Sequence, residues 1–107
     1  MTKVEFFNKE GRITGFCVSG HSGYAEEGSD IVCSAVSTAV TFAETTLNDV
    51  LGAHAKVRVN GEEARVTLTL PNTCEEEDAV QAVLTGMMLT LCSLRDDYSD
   101  YIEVLEV

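Results

Sequence analysis

Apolar positions along the chain fall into two rhythms, one of period two and one of period three to four. Val4-Glu5-Phe6-Phe7 and Ile13-Thr14-Gly15-Phe16-Cys17-Val18 are β-prone runs on either side of Asn8-Lys9-Glu10-Gly11, turn chemistry that predicts a hairpin. Positions 19–29 carry three glycines and no apolar period, so they read as a loop. From Asp30 to about Leu51 the rhythm becomes helical: Val32, Val36, Ala39, Val40, Ala43, Leu47, Val50 and Leu51 form one stripe. Ser29 or Asp30 can cap its first turn, and Gly52 can end its last. Lys56-Val57-Arg58-Val59 and the run 64–70 alternate strictly, with Asn60-Gly61 between them as a hairpin signal and Pro71 as a stop. Thr73 followed by Glu76 reads as a capping box that opens a second helix to about Leu94, with Val80, Val83, Leu84, Met87, Leu91 and Leu94 as its stripe. An alternating strand from Tyr101 to Val107 closes the chain.

The order ββαββαβ, with one apolar stripe per helix and alternating strands, predicts an α+β fold. Its form is a two-layer sandwich, a largely antiparallel sheet with two helices on one face. The 107 residues fit one domain, 1–107, and no linker, repeat or low-complexity tract divides them. Apolar residues at 45% and charged residues at 23% are an ordinary globular balance.

Charge narrows the range of partners. Seven basic and 18 acidic side chains give a formal charge of −11. Nucleic-acid affinity comes largely from Lys and Arg replacing counterions, so no direct nucleic-acid partner is expected. Basic partners would be attracted and their encounter speeded, although acidity spread over turns, helix ends and strand edges also serves plain solubility. The start, Met1-Thr2-Lys3-Val4-Glu5, lacks a signal-peptide pattern, and no apolar run reaches the ~18 residues of a membrane span. No membrane association is expected. Four cysteines without an export signal are expected to be reduced thiols, which places the chain in the cytoplasm.

Candidate chemistry centres on Cys33, three residues past Asp30 in the first turn of the first helix. Free backbone N–H groups and the macrodipole favour an anion there, so a thiol loses its proton more easily. The same N–H groups can steady an oxyanion forming on a substrate carbonyl. A cysteine nucleophile needs a base, and His21 lies in the glycine-rich loop that leads into the helix. Asp30 can orient the imidazole or cap the helix, and the two roles are compatible. On spacing alone a cysteine in a helix is more often a small core residue than a nucleophile, and a histidine beside glycines is often just a loop residue. Phosphate binding by the loop is disfavoured, because it carries Glu26 and Glu27 and no lysine or arginine.

The segments Gly20-His21-Ser22-Gly23-Tyr24-Ala25, Gly28 and Asp30-Ile31-Val32-Cys33-Ser34-Ala35-Val36-Ser37 tip this balance. They resemble the signature of the ribosomal-processing cysteine protease family called Prp, whose short length and element order also match. Ser34 stands where that family usually has alanine. The resemblance implies a cysteine endopeptidase that removes an N-terminal extension from large-subunit ribosomal protein number twenty-seven. It carries the catalytic histidine and cysteine onto His21 and Cys33, with Asp30, Ser37, Gly20 and Gly23 in supporting places. It further implies a homodimer, a loop that is mobile until substrate arrives, an apolar pocket near that loop for an aromatic pair, and no cofactor. Ribosomal proteins are basic, so a charge of −11 is compatible with such a substrate.

Other residues are expected to do less. His54 reads as a strand-edge residue, Cys17 and Cys92 as packing thiols, and Met87 and Met88 as core or interface. Cys74 is the rival nucleophile, opposed by the acids Glu75, Glu76, Glu77 and Asp78 that follow it. His21, Cys33, His54 and Cys74 lack the close spacings of a zinc site, so no metal is expected. The alternative function is a non-catalytic acidic module that binds a basic ribosomal protein during assembly, with Cys33 structural.

Overall fold

The first hairpin forms where the turn chemistry places it. Strand β1 (Thr2–Lys9) runs back through β2 (Arg12–Ser19) in antiparallel register, Val4 opposite Val18 and Phe6 opposite Phe16. The computed structural model describes residues 1–26 and 28–107; Glu27, one of the loop acids, lies outside the described residues. Helix α1 (Ile31–Thr45) follows the loop, then β3 (Lys56–Asn60), β4 (Arg65–Thr69), α2 (Glu77–Asp97) and β5 (Ile102–Glu106). The sheet order is β3-β4-β2-β1-β5, antiparallel except for the outer pair β1 and β5, which is parallel. This is the expected α+β arrangement, order ββαββαβ, with a largely antiparallel sheet.

One face of the sheet supplies Val4, Phe6, Ile13, Phe16, Leu68 and Ile102 to the core. Against it α1 sets Val32, Val36 and Ala43, the turn after it sets Leu47, and α2 sets Val80, Leu84, Met87 and Leu91. Each helix therefore buries the centre of its stripe against the sheet. Phe6 and Phe16 meet within this core with ring centroids 6.0 Å apart. Polar links fix the second helix on the sheet: the Gln81 amide accepts from Ile13 N–H and donates to Ile13 C=O, both at 2.8 Å. Arg12 adds an ion pair with Glu77 and donates to the Pro71 carbonyl at 2.9 Å.

Three local expectations are corrected. The first helix does not stay α-helical to Leu51: Thr46–Val50 is a π-helical turn, with Leu51 N–H donating to Thr46 C=O at 3.0 Å. The extra residue in that turn carries Val50 off the stripe, and it is 71% exposed. The Thr73–Glu76 capping box does not form. Arg12 holds the Pro71 carbonyl and Cys74 packs on the core, so the chain enters the helix only at Glu77, with no side-chain cap at Glu76. The Asn60-Gly61 hairpin exists, but its loop is longer than those two residues, since Asn60 pairs with Arg65. Asn60 Oδ1 accepts from the N–H groups of Glu62 and Glu63, and Ala64 takes the left-handed position at φ +47°.

Gly15 is required by contact. A Cβ there would lie 2.2 Å from the Leu68 carbonyl oxygen on the neighbouring strand. Gly15→Ala should therefore lower stability by about 2 kcal/mol or more, because strand backbone must move. Gly86 is exposed in α2, and a methyl added there would meet nothing within 4 Å. Gly86→Ala should gain about 0.5–1 kcal/mol. Urea unfolding midpoints of the two variants, compared with the parent, check both signs.

Candidate functional site

The site is built where the loop after β2 meets the first turn of α1. Gly20 turns the chain at φ +81°, and a Cβ there would lie 2.6 Å from the Met1 carbonyl oxygen, so only glycine fits. His21 follows and is exposed; Ser22 is buried. Asp30, only 5% exposed, is the N-cap of α1: its Oδ1 accepts from the N–H groups of Val32 and Cys33, each at 3.0 Å. Its Oδ2 accepts from the Ser22 hydroxyl. Ser22 in turn donates its backbone N–H to Cys33 Sγ at 3.3 Å, and its hydroxyl oxygen accepts from Tyr24 N–H at 3.2 Å. The Tyr24 ring meets Tyr98 and Tyr101 edge-on, with centroids 5.5 and 5.2 Å away.

Two cavities adjoin at this point. One, of about 370 Å³, runs from Cys33 and His21 along the apolar side chains Val18, Val36, Val40, Val59 and Val66. The other, of about 420 Å³, lies under the loop beside Gly23, Ala25, Gly28, Asp30 and Ser34. His21, Cys33 and Ser37 line both. A half-buried thiol at the junction of two clefts, with an exposed imidazole on the same walls, can meet an extended chain that occupies both. Such a placement can present the sulfur to a backbone carbonyl.

Comparison with known proteins gives the family. Residues 1–103 match the family model of the cysteine protease Prp. The chain belongs to the Prp family of cysteine proteases. The ribosomal processing cysteine protease Prp of Bacillus subtilis is 30% identical over 95 residues, covering 86% of this chain and 84% of that protein. The Staphylococcus aureus protein of the same name is 26% identical over 98 residues, 91% of this chain and 90% of that one. In fold, the chain superimposes on the crystal structure of S. aureus Prp with a covalently linked product peptide at a TM-score of 0.89, with 21% identity and full coverage of both chains. A Streptococcus mutans protein gives a TM-score of 0.88 at 21% identity, over 100% of this chain and 94% of that one.

Within this Prp-family chain, His21, Cys33, Asp30, Ser37, Gly20 and Gly23 all fall at the loop–helix junction. Ser37 stands one turn along α1 from Cys33, exposed, and Gly23 is exposed at φ +76°. The two roles open to Asp30 separate here. Asp30 caps the helix and is bonded to Ser22; its hydrogen bonds do not run to His21. Among the first-turn N–H groups that could receive an oxyanion, those of Val32 and Cys33 are taken by Asp30 Oδ1 and that of Ser34 by the Asp30 carbonyl.

The rival thiol is placed differently. Cys74 packs on the core, 3.7 Å from Arg12 Nη2, and burial first, then the Glu77 charge, pushes its pKa up. Cys17 is buried on the sheet face away from Phe16, where Arg65 and Thr67 donate to it at 3.4 and 3.6 Å. Cys92 is half-buried in α2 and His54 is exposed. Ser22 is the residue that sequence reasoning passed over. Ser22 and Asp30 lie in a segment without regular structure, where no period links them, so only the folded loop reveals the pair.

The Ser22 hydroxyl, opposed by burial and helped by the Cys33 N–H, lowers the Asp30 pKa from the ordinary 3.8 to about 2. A depressed carboxylate stabilises the fold above its unfolded value, and that contribution is lost as pH falls through the folded value. Asp30→Ala should lower the melting temperature by about 5 °C or more at neutral pH, since it deletes the cap and strands the Ser22 hydroxyl. The gap between parent and variant should close between about pH 4 and pH 2. Thermal unfolding followed by circular dichroism across that range checks it.

Proposed function

We propose that the chain is an endopeptidase that removes an N-terminal extension from large-subunit ribosomal protein twenty-seven, with Cys33 as nucleophile and His21 as its acid and base. The observation that carries this reading is that Cys33, His21 and Ser37 line both adjoining cavities, so one bound strand would lay its scissile carbonyl over the sulfur. The valine-lined cavity suits the apolar side chains of an aromatic pair on the acyl side of the cut. Solved relatives from S. aureus carry a substrate peptide in one case and a covalently linked product peptide in the other, which supports peptide as the substrate class.

The chemistry follows from the two groups. The Cys33 thiolate attacks the carbonyl carbon, and an S–C bond forms as the C=O electrons move to oxygen. Collapse of this adduct breaks the C–N bond, and His21 in its protonated form gives the leaving amine its proton. The acyl fragment is then a thioester on Cys33. Neutral His21 takes a proton from water, the hydroxide attacks the thioester, and the carboxylic acid departs with Cys33 restored. Asp30 holds the turn that carries Cys33 and takes no proton. With a charge of −11 the protein draws a basic ribosomal protein toward it and is repelled by ribosomal RNA. The setting of the reaction is the cytoplasm, and the working form is a homodimer.

Incubation with the extended ribosomal protein, followed by intact mass, tests the assignment. The parent should release one N-terminal fragment. Cys33→Ala should lose activity by a factor of about 10³ or more, while Cys17→Ala and Cys92→Ala continue to cut. Cleavage by a clean Cys33→Ala preparation would overturn the assignment of the nucleophile.

A further inference from the structure

An anionic sulfur needs hydrogen-bond donors, and the helix that carries Cys33 has few left to give. Asp30 Oδ1 takes the N–H groups of Val32 and Cys33, and the Asp30 carbonyl takes that of Ser34. The positive end of α1 therefore answers the Asp30 charge first. That carboxylate is buried and ionised at neutral pH, so a second negative charge on Cys33 would form close to an existing one. It requires a donor of its own. Among the described residues, the donor bonded to Cys33 Sγ is the Ser22 N–H, at 3.3 Å, and it comes from the loop rather than from the helix.

What aims that N–H is the rest of Ser22. The residue is 3% exposed, its hydroxyl donates to Asp30 Oδ2, and the same oxygen accepts from Tyr24 N–H at 3.2 Å. Gly20 sets the path of the chain two residues earlier through a left-handed turn against Met1. The buried carboxylate thus serves both sides of the site: one oxygen fixes the turn that bears the thiol, and the other fixes the loop that bears the donor.

We propose that Ser22 is a positioning residue for the reaction: its hydroxyl, anchored on Asp30, holds its backbone N–H against Cys33 Sγ, and that N–H supports the thiolate before attack. The inference rests on Cys33 being the nucleophile, and it extends that reading by assigning the thiolate donor to the loop. Removal of the hydroxyl leaves the N–H in the chain but frees its direction. The loss should therefore appear in the reactivity of the sulfur and in kcat, with KM little changed.

The test uses iodoacetamide, which the thiolate attacks with loss of iodide. At neutral pH, Ser22→Ala should be alkylated at Cys33 about tenfold more slowly than the parent and show a similar fall in kcat. Ser22→Thr, which keeps the hydroxyl, should recover most of both. Alkylation of Ser22→Ala at the parent rate would overturn the proposal. Amide hydrogen exchange decides the matter even if Ser22→Ala folds poorly. The Ser22 amide should exchange about tenfold faster in Cys33→Ala than in the parent, while the Val32 amide, bonded to Asp30, stays unchanged. Equal protection of the Ser22 amide in both proteins would overturn the hydrogen bond on which the proposal stands. Failure of the protease reading looks different: the parent would cut no substrate while Ser22→Ala still slowed alkylation.

Discussion

The Asp30 carboxylate is the interaction on which the site depends. A carboxylate 5% exposed can remain charged only if its oxygens are well supplied with donors, and here they are supplied from two places. The first turn of α1 gives the Val32 and Cys33 N–H groups, and the loop gives the Ser22 hydroxyl. The loop is thereby fastened to the helix, and Cys33 lies at the seam with His21 on the same cavity walls. Tyr24, packed edge-on to Tyr98 and Tyr101, anchors the loop a second time against the end of α2 and the approach to β5. The buried charge thus ties Ser22, near the start of the loop, to the first turn of the helix.

The elements were legible because each carries its own period. The two hairpins, the first helical stripe through Leu47 and the α2 stripe from Val80 to Leu91 follow from local alternation or helical spacing, and the packed core keeps them. What escaped notice depends on partners distant in sequence. The parallel pairing of β5 with β1 needs the whole of α2 to cross the sheet. Thr73 and Glu76 have the spacing of a capping box, yet Arg12, some sixty residues earlier, fixes Pro71 and Glu77 and moves the helix start. The π-helical turn at Thr46–Val50 has no marker in residue type, and Gly52 at φ +61° ends the segment after it.

The site was legible in the same uneven way. Cys33 at a helix start and His21 in a glycine-rich loop can be read from the chain, and they do reach common cavities. The expectation that helix-start N–H groups favour an anion on the sulfur is met by a competitor: the carboxylate that makes Asp30 a good cap takes the Val32 and Cys33 donors. Ser22 replaces part of what was lost, and its contribution is a backbone group, which no residue pattern announces. The rival Cys74 illustrates the opposite case: burial, more than the neighbouring acids, disfavours its thiolate.

Attack of a peptide carbonyl by Cys33, as proposed, makes the acylated enzyme the species to find. The wild-type protein mixed with the extended ribosomal protein and quenched in acid within the first turnover should carry the N-terminal fragment as a thioester. Peptide mapping should place that mass on the fragment containing Cys33. An adduct on Cys74, or cleavage with no thiol-bound intermediate at any quench time, would contradict the account.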